Sequence, residues 1–323
     1  MNRRSLLVHV GQLGSALATC GLSACATPAR LKVAVNPWIG FETLRLAKAF
    51  HHLPDSVMLY ETRALSESSH LLATGQVDAA CLTLDEVLRV RATGVPVTVG
   101  LVFDVSEGGD MVLAKPGIRT TADLAGKRIG VEKGALGALM LNELLRRAQL
   151  PLAKLTVVEV STDQQLEAWR NGQIDAAITY EPIATLLQRE GGVRLFDSRQ
   201  VPDTIFDVLA VRTDSIDGRQ AVLEALVQGH FHGLTHIARN REDATYRIAA
   251  TQGVSFVEVR QALTGVRLPS LQANREYLAT PGGRLLEAAT ALSALMVTEG
   301  LLARQDALAD LCRSTWLPAT EEP

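Results

Sequence analysis

Apolar residues fall in short continuous runs, separated by stretches in which they recur at helical spacing. Short runs bounded by Gly, Pro or Asn read as buried strands, and the stretches between them as amphipathic helices. The pattern predicts strands at 31–35, 57–61, 77–82, 97–105, 111–114, 128–132, 155–160, 174–180, 193–196 and 208–211. It predicts helices between them at 43–52, 65–74, 85–92, 138–149, 164–171 and 181–189. Beyond residue 218 only helices are expected, at 219–240, 242–251, 256–263, 284–299 and 306–312. Alternation of this kind implies an α/β chain with a parallel sheet and crossover helices.

One stretch occurs twice, as Gly75-Gln76-Val77-Asp78-Ala79-Ala80 and as Gly172-Gln173-Ile174-Asp175-Ala176-Ala177. Each copy stops a helix at its Gly and opens a buried run. Each run ends where an acidic residue starts another helix, at Asp85-Glu86 and at Glu181-Pro182. Two such halves suggest two similar lobes with a crevice between them. The second copy continues Ile178-Thr179-Tyr180-Glu181-Pro182. On these residues the chain resembles the bacterial substrate-binding proteins of nitrate/sulfonate/taurine-type ABC importers, which share a fold with the thiamine-pyrimidine-binding proteins. The resemblance runs from about residue 31 to about residue 311. It implies a two-domain periplasmic binding protein-like fold of type II, with two inter-domain crossings and a ligand cleft between the lobes. It also implies a monomer that captures a small polar organic solute by hinge closure and hands it to an ABC permease driven by an ATPase.

Gly108-Gly109, between Ser106 and Asp110, reads as the first crossing, because two glycines between apolar runs free the backbone. The run from Asp203 to Asp207 reads as the return. Lobe 1 is then expected at 31–105 plus 212–323, and lobe 2 at 106–211. A leader precedes them. Arg3-Arg4 form a basic start, 6–18 a modest apolar stretch, and Leu22-Ser23-Ala24-Cys25 resembles a bacterial lipobox. That resemblance implies removal of 1–24, lipidation of Cys25, a tether at 25–30 and a periplasmic protein anchored to a membrane rather than spanning it. Arg3-Arg4-Ser5-Leu6-Leu7 leaves both general and twin-arginine export open.

The formal net charge is −3, and the leader takes two further positive charges with it, so nucleic acid is not an expected partner. No run reaches 18 apolar residues, so no spanning helix is expected. Of the four cysteines, only Cys81 and Cys312 remain once Cys20 leaves and Cys25 carries lipid. Cys81 lies in a predicted buried strand, where a thiol behaves as a small hydrophobe, and nothing fixes the two within bridging reach. No Cys/His spacing suits zinc, and no cofactor is expected. His232 and His236 share a helix face, for which packing or surface roles are the plainer reading.

Ligands of open α/β sheets bind beyond the carboxyl ends of the strands. The residues at those ends are therefore the candidates. Trp38 and Phe41 follow the first strand, Ser66 the second, and Thr83 and Asp85 the first repeat. Ser106 stands at the first crossing and Asp207 at the second. Lobe 2 contributes Glu132, Ala135, Leu136, Tyr180 and Glu181. Trp38 could stack on a planar solute. Ser66 and the turn at Ala135-Leu136 could offer helix-start amides. In the resembled sulfonate and nitrate members that turn often carries Ser or Thr, which is missing here. With Asp104 and Asp110 added, the candidates are mostly acidic, which disfavours a simple anion and suits an amine, amidine or aminopyrimidine.

No Gly-x-Ser-x-Gly, phosphate-cradling Gly-x-x-x-x-Gly-Lys, Gly-x-Gly-x-x-Gly or His-Glu-x-x-His occurs. No catalytic residue is expected. The Cys-rich motif of the iron-linked thiamine-pyrimidine synthases, resembled in fold, is also missing. Two alternatives stay open: an enzyme on the same scaffold, of menaquinone-pathway or pyrimidine-synthase type, and a solute sensor for a membrane receptor. The lipobox speaks against the first.

Overall fold

The structure is a computed structural model that describes residues 30–132 and 134–320. The leader, Cys25 with its expected lipid, and Lys133 lie outside the described residues. The chain opens with β1 (Leu31–Val35), α1 (Glu42–Ala49), β2 (Val57–Glu61), α2 (Leu65–Ala73), β3 (Ala79–Thr83), α3 (Leu84–Ala92) and β4 (Val97–Ser106). It continues with β5 (Asp110–Ala114), β6 (Arg128–Val131), α4 (Ala135–Ala148), β7 (Thr156–Glu159), α5 (Thr162–Arg170), β8 (Ala176–Tyr180), α6 (Ile183–Arg189) and β9 (Val193–Asp197). It closes with β10 (Phe206–Arg212), α7 (Gln220–Arg239), α8 (Arg241–Gln252), α9 (Phe256–Leu263), β11 (Val266–Arg267), α10 (Leu271–Tyr277) and α11 (Arg284–Thr298).

The strands form two sheets, ordered β11-β4-β10-β3-β1-β2 and β7-β6-β8-β5-β9. The helices pack around them, giving two α/β lobes of periplasmic-binding-protein type. Each sheet has a parallel core, β2-β1-β3 in one and β7-β6-β8 in the other. Beside each core lies one antiparallel strand, β10 or β5. The sheets are therefore mixed rather than parallel. The reason is the crossings: β5 enters lobe 2, and β10 re-enters lobe 1, at the edge where the parallel strands end, so each must run back the other way. The two repeats become β3 and β8, each wholly buried and each next to a crossing strand. Thr83 at the end of β3 pairs with Asp207, and Tyr180 at the end of β8 pairs with Asp110.

The expected lobe boundary shifts accordingly. Residues 206–211, expected in lobe 2, lie on β10 in the first sheet, where their nearly continuous apolar run is buried between β3 and β4. The expected helix at 306–312 is instead an irregular stretch, in which Cys312 bridges to Val99 on β4. It leads to Trp316, which is wholly buried against Gly100, where a Cβ would stand 2.1 Å from the indole. The short α10 and β11 had no periodic signal long enough to see. Helix α10 is started by the Ser270 side chain, which accepts the Ala273 N–H. No described helix is long and apolar enough to cross a membrane. Cys81 and Cys312 are both free thiols, the first buried.

Candidate functional site

The ends of β1, β3, β4, β8 and the starts of β5 and β10 meet between the lobes. The floor of this region is a layer of buried carboxyls. Asp207 pairs in register with Thr83 on one side and Asp104 on the other, so the three side chains stand in a row across the sheet. Asp104 and Asp207 lie side by side across the strand pair, and each carboxyl perturbs the titration of the other. Burial first, then Asp104 and Asp110, push Asp207 far above the carboxylate range. Burial also raises Asp104, against the Trp38 indole, which donates to its Oδ2 at 3.0 Å. Asp110 is pushed up to about 7 by burial, with Ser106 acting the other way. Asp85 is raised by burial and then by Glu86.

Polar atoms in this layer are left without partners. Both Asp85 oxygens, Asp104 Oδ1, Asp207 Oδ2 and the hydroxyls of Thr83 and Thr179 have none. Thr83 lies close enough to Asp85 to favour its charged form, yet does not meet hydrogen-bond geometry. A buried unpaired acceptor costs about 1–3 kcal/mol, so a cluster of them is a standing demand for donors.

Above the floor the lobes touch. Tyr180 meets Trp38 edge to face, with ring centroids 5.9 Å apart. Leu65 N–H donates to the Tyr180 hydroxyl at 3.2 Å, and that hydroxyl donates to Glu132 Oε2 at 3.1 Å. Ser66 N–H donates to Glu132 Oε1 at 2.8 Å and the Thr162 hydroxyl to Oε2 at 2.5 Å. Burial and then the Glu132 carboxylate hold the Tyr180 phenol well above its ordinary value. Around these groups lies a void of about 10 Å³, bordered by Asp110, Glu132, Leu136 and Tyr180. Outboard of it opens a cavity of about 560 Å³, lined from lobe 1 by Ser66, Ser69 and Arg89 and from lobe 2 by Gly134, Ser161 and Gln164. That volume suits a small solute. Glu86 borders both spaces and accepts the Ser69 hydroxyl at 2.8 Å.

The structure thus gathers Trp38, Ser66, Thr83, Asp85, Glu132, Leu136, Tyr180 and Asp207 around one region. Ala135 opens α4 beside it. Three further expected residues are engaged by the protein's own groups. Phe41 is core, edge-on to Phe103 at 5.2 Å, because the turn after β1 rolls it inward. Glu181 accepts the Thr185 N–H at 3.0 Å and so caps α6. The Ser106 hydroxyl ties the crossings together: it lies 2.7 Å from Ser198 Oγ and accepts Asp110 N–H at 3.2 Å. Thr162 escaped the sequence reading because the end of β7 was not among the strand ends considered. Ser161-Thr162 there is a helix-start pair that would have pointed to it. His232 stacks on His52 at 4.4 Å and His236 bonds Asp243 at 2.8 Å. Among the described residues no group of His, Cys, Asp or Glu has metal-holding geometry.

Residues 56–244 match the protein family described as NMT1/THI5 like. The taurine-binding periplasmic protein of Escherichia coli (strain K12) is 27% identical over 160 residues, 49% of this chain and 50% of that protein. A protein of Brucella abortus (strain 2308) is 35% identical over 85 residues, 26% of this chain and 27% of its own length. The chain therefore aligns with half or less of the length of these relatives. Among solved structures, a ligand-binding component of an ABC-type import system from Staphylococcus aureus superposes with a TM-score of 0.75 at 15% identity, covering 91% of this chain and 100% of that one. The alkanesulfonate-binding protein SsuA from Xanthomonas axonopodis pv. citri superposes with a TM-score of 0.72 at 20% identity, covering 88% and 98%.

Proposed function

The chain belongs to the NMT1/THI5-like family, and from that premise we propose that it is the solute-binding protein of an ABC importer, selective for a small cationic nitrogen solute. The observation that carries the solute class is the buried floor of Asp85, Asp104, Asp110 and Asp207, in which both Asp85 oxygens, Asp104 Oδ1 and Asp207 Oδ2 lack donors. A bound ammonium, amidinium or aminopyrimidine would supply both N–H groups and positive charge there. The relatives named for taurine and alkanesulfonates support the solute-binding role. Taurine itself carries an ammonium beside its sulfonate.

Capture proceeds by hinge closure about the two crossings, with the solute shifting an open–closed equilibrium by its contacts to both lobes. The closed form docks on a permease driven by a cytoplasmic ATPase. The chain does no chemistry. Its buried thiol Cys81 is pushed up by burial and is no nucleophile at neutral pH. It acts as a monomer in the periplasm, held to a membrane through lipid on Cys25. Conversion of Cys25 to Ser would release it from the membrane fraction.

Thermal-shift titration with polyamines, alkylamines, aminopyrimidines, taurine, alkanesulfonates and nitrate tests the reading. A solute at 100 times its Kd adds about 2.7 kcal/mol, enough to see. Stabilisation by the nitrogen cations is expected. Stabilisation by nitrate and simple alkanesulfonates alone would overturn the solute class and leave the binding role standing.

A further inference from the structure

Helix α2 begins with no side-chain cap, since its N-cap residue is Ala64. Its first two amides point across the cleft, Leu65 N–H to the Tyr180 hydroxyl and Ser66 N–H to Glu132 Oε1. On the opposite lobe, the N-cap residue of α5, Ser161, makes no side-chain cap bond, and the Thr162 hydroxyl at its first turn donates to Glu132 Oε2. Tyr180 adds a third donor to the same carboxylate. Three donors, drawn from the starts of two helices and the end of β8, therefore converge on one group from both lobes. This is the donor set of an oxyanion cradle, with the favourable ends of two helix dipoles behind it. The protein fills it with its own carboxylate, 8% exposed. The void left beside it, about 10 Å³, holds no more than a water.

We propose that Glu132 sets solute charge: it occupies the cradle as a built-in anion and excludes sulfonate, carboxylate and phosphate groups from the cleft. The inference rests on the solute-binding reading above. It explains how a fold whose relatives are named for sulfonates would reject them. A competing oxyanion must displace a carboxylate that already has its hydrogen bonds, and must enter a void also bordered by Glu86 and Asp110. An oxyanion brought against a carboxylate also meets like-charge repulsion, which weakens its binding further.

The test uses methanesulfonate and butylamine as probes, titrated calorimetrically at neutral pH into the wild type and three variants. Glu132→Ala and Glu132→Ser empty the cradle. Glu132→Gln keeps an oxygen for Ser66 N–H and keeps it filled. Either emptied variant should bind methanesulfonate about tenfold or more tightly than the wild type, while Glu132→Gln, which keeps the volume and loses the charge, should bind it less tightly than the emptied variants. Ser serves if Ala does not give a cooperative melt. A purely structural role would lower melting temperatures without changing anion selectivity. Equal methanesulfonate affinity in the wild type and the folded emptied variants overturns the proposal, whether all bind it or none does. Butylamine reads the solute class separately: a wild type that ignores it sinks the cation reading, while the anion comparison still decides Glu132.

Discussion

Asp110 opens β5 at the first crossing, 3% exposed, and faces the other buried carboxyls. Burial moves its carboxyl from the ordinary 3.8 to about 7. The folded state therefore holds the proton more tightly than the unfolded chain. Its contribution to stability is fully present below about pH 3.8 and is lost as pH rises toward and through about 7. The full loss corresponds to about 4 kcal/mol at most, and water entry and relaxation reduce it to about 1–4 kcal/mol. Asp110→Asn keeps the shape and cannot ionise. Calorimetric melting without solute at pH 4, 5.5 and 7.5 should show the variant gaining on the wild type as pH rises. The gain between the ends of that series should be roughly 3–10 °C in Tm. A wild type minus variant difference that does not change with pH would refute the reasoning, because it would mean that Asp110 does not carry a buried proton.

Tyr180→Phe removes the hydroxyl between Leu65 N–H and Glu132 and leaves a buried amide without an acceptor. It should lower stability by about 1–3 kcal/mol and enlarge the radius of gyration in X-ray scattering; an unchanged Tm and radius would show that this contact does not hold the lobes together. Gly40→Ala would place a Cβ 1.7 Å from Asp104 Oδ2 and 2.9 Å from Trp38 Nε1, both buried. A cost of about 1–3 kcal/mol in chemical denaturation is expected; a neutral result would mean that the turn after β1 yields more easily than its packing indicates. Gly253→Ala is the control, with nothing within 4 Å of its Cβ and only the strain of φ +67 to pay.

The doubled Gly-Gln-Val/Ile-Asp-Ala-Ala stretch made the two-lobe architecture legible, because a helix stop followed by an all-apolar run has few other physical readings. Helix α9 matched its expected bounds, where a Ser255–Glu258 capping box fixes the start. What the pattern does not carry is strand direction: β5 and β10 look like any buried run, and only the crossing tells that they lie antiparallel. The grouping of acids was also legible, since Asp85 and Glu132 follow predicted strands and Asp207 stands at the expected second crossing. Depth was not. Trp38 and Phe41 are three residues apart in one turn, yet one indole faces Asp104 while the other ring turns into the core. Glu132 read as one acid among several, and only the three-dimensional arrangement shows it taking donors from both lobes.

Under the proposed hinge closure, the pairing of each repeat with a crossing strand gives charge a direct route into the motion. Thr83 lies against Asp207 and Tyr180 against Asp110, so each lobe presents a buried acid on the strand that links it to the other. Burial raises the carboxyls of Asp85, Asp104, Asp110 and Asp207 alike, so in the empty protein each keeps its proton to a higher pH than an exposed acid does. A cation brought among them favours their charged form, so binding must expel protons, up to about one per unit of solute charge. Affinity for an amine should then rise with pH from about 5 through about 7, where Asp110 gives up its proton in the empty protein. Calorimetric titration in two buffers of different ionisation heat measures the release directly. An anion would do the reverse, drawing protons in and binding more weakly as pH rises. Flat affinity with no proton exchange would mean that the solute never meets this floor, and the site would then have to be sought in the outer cavity, among Ser69, Arg89, Ser161 and Gln164.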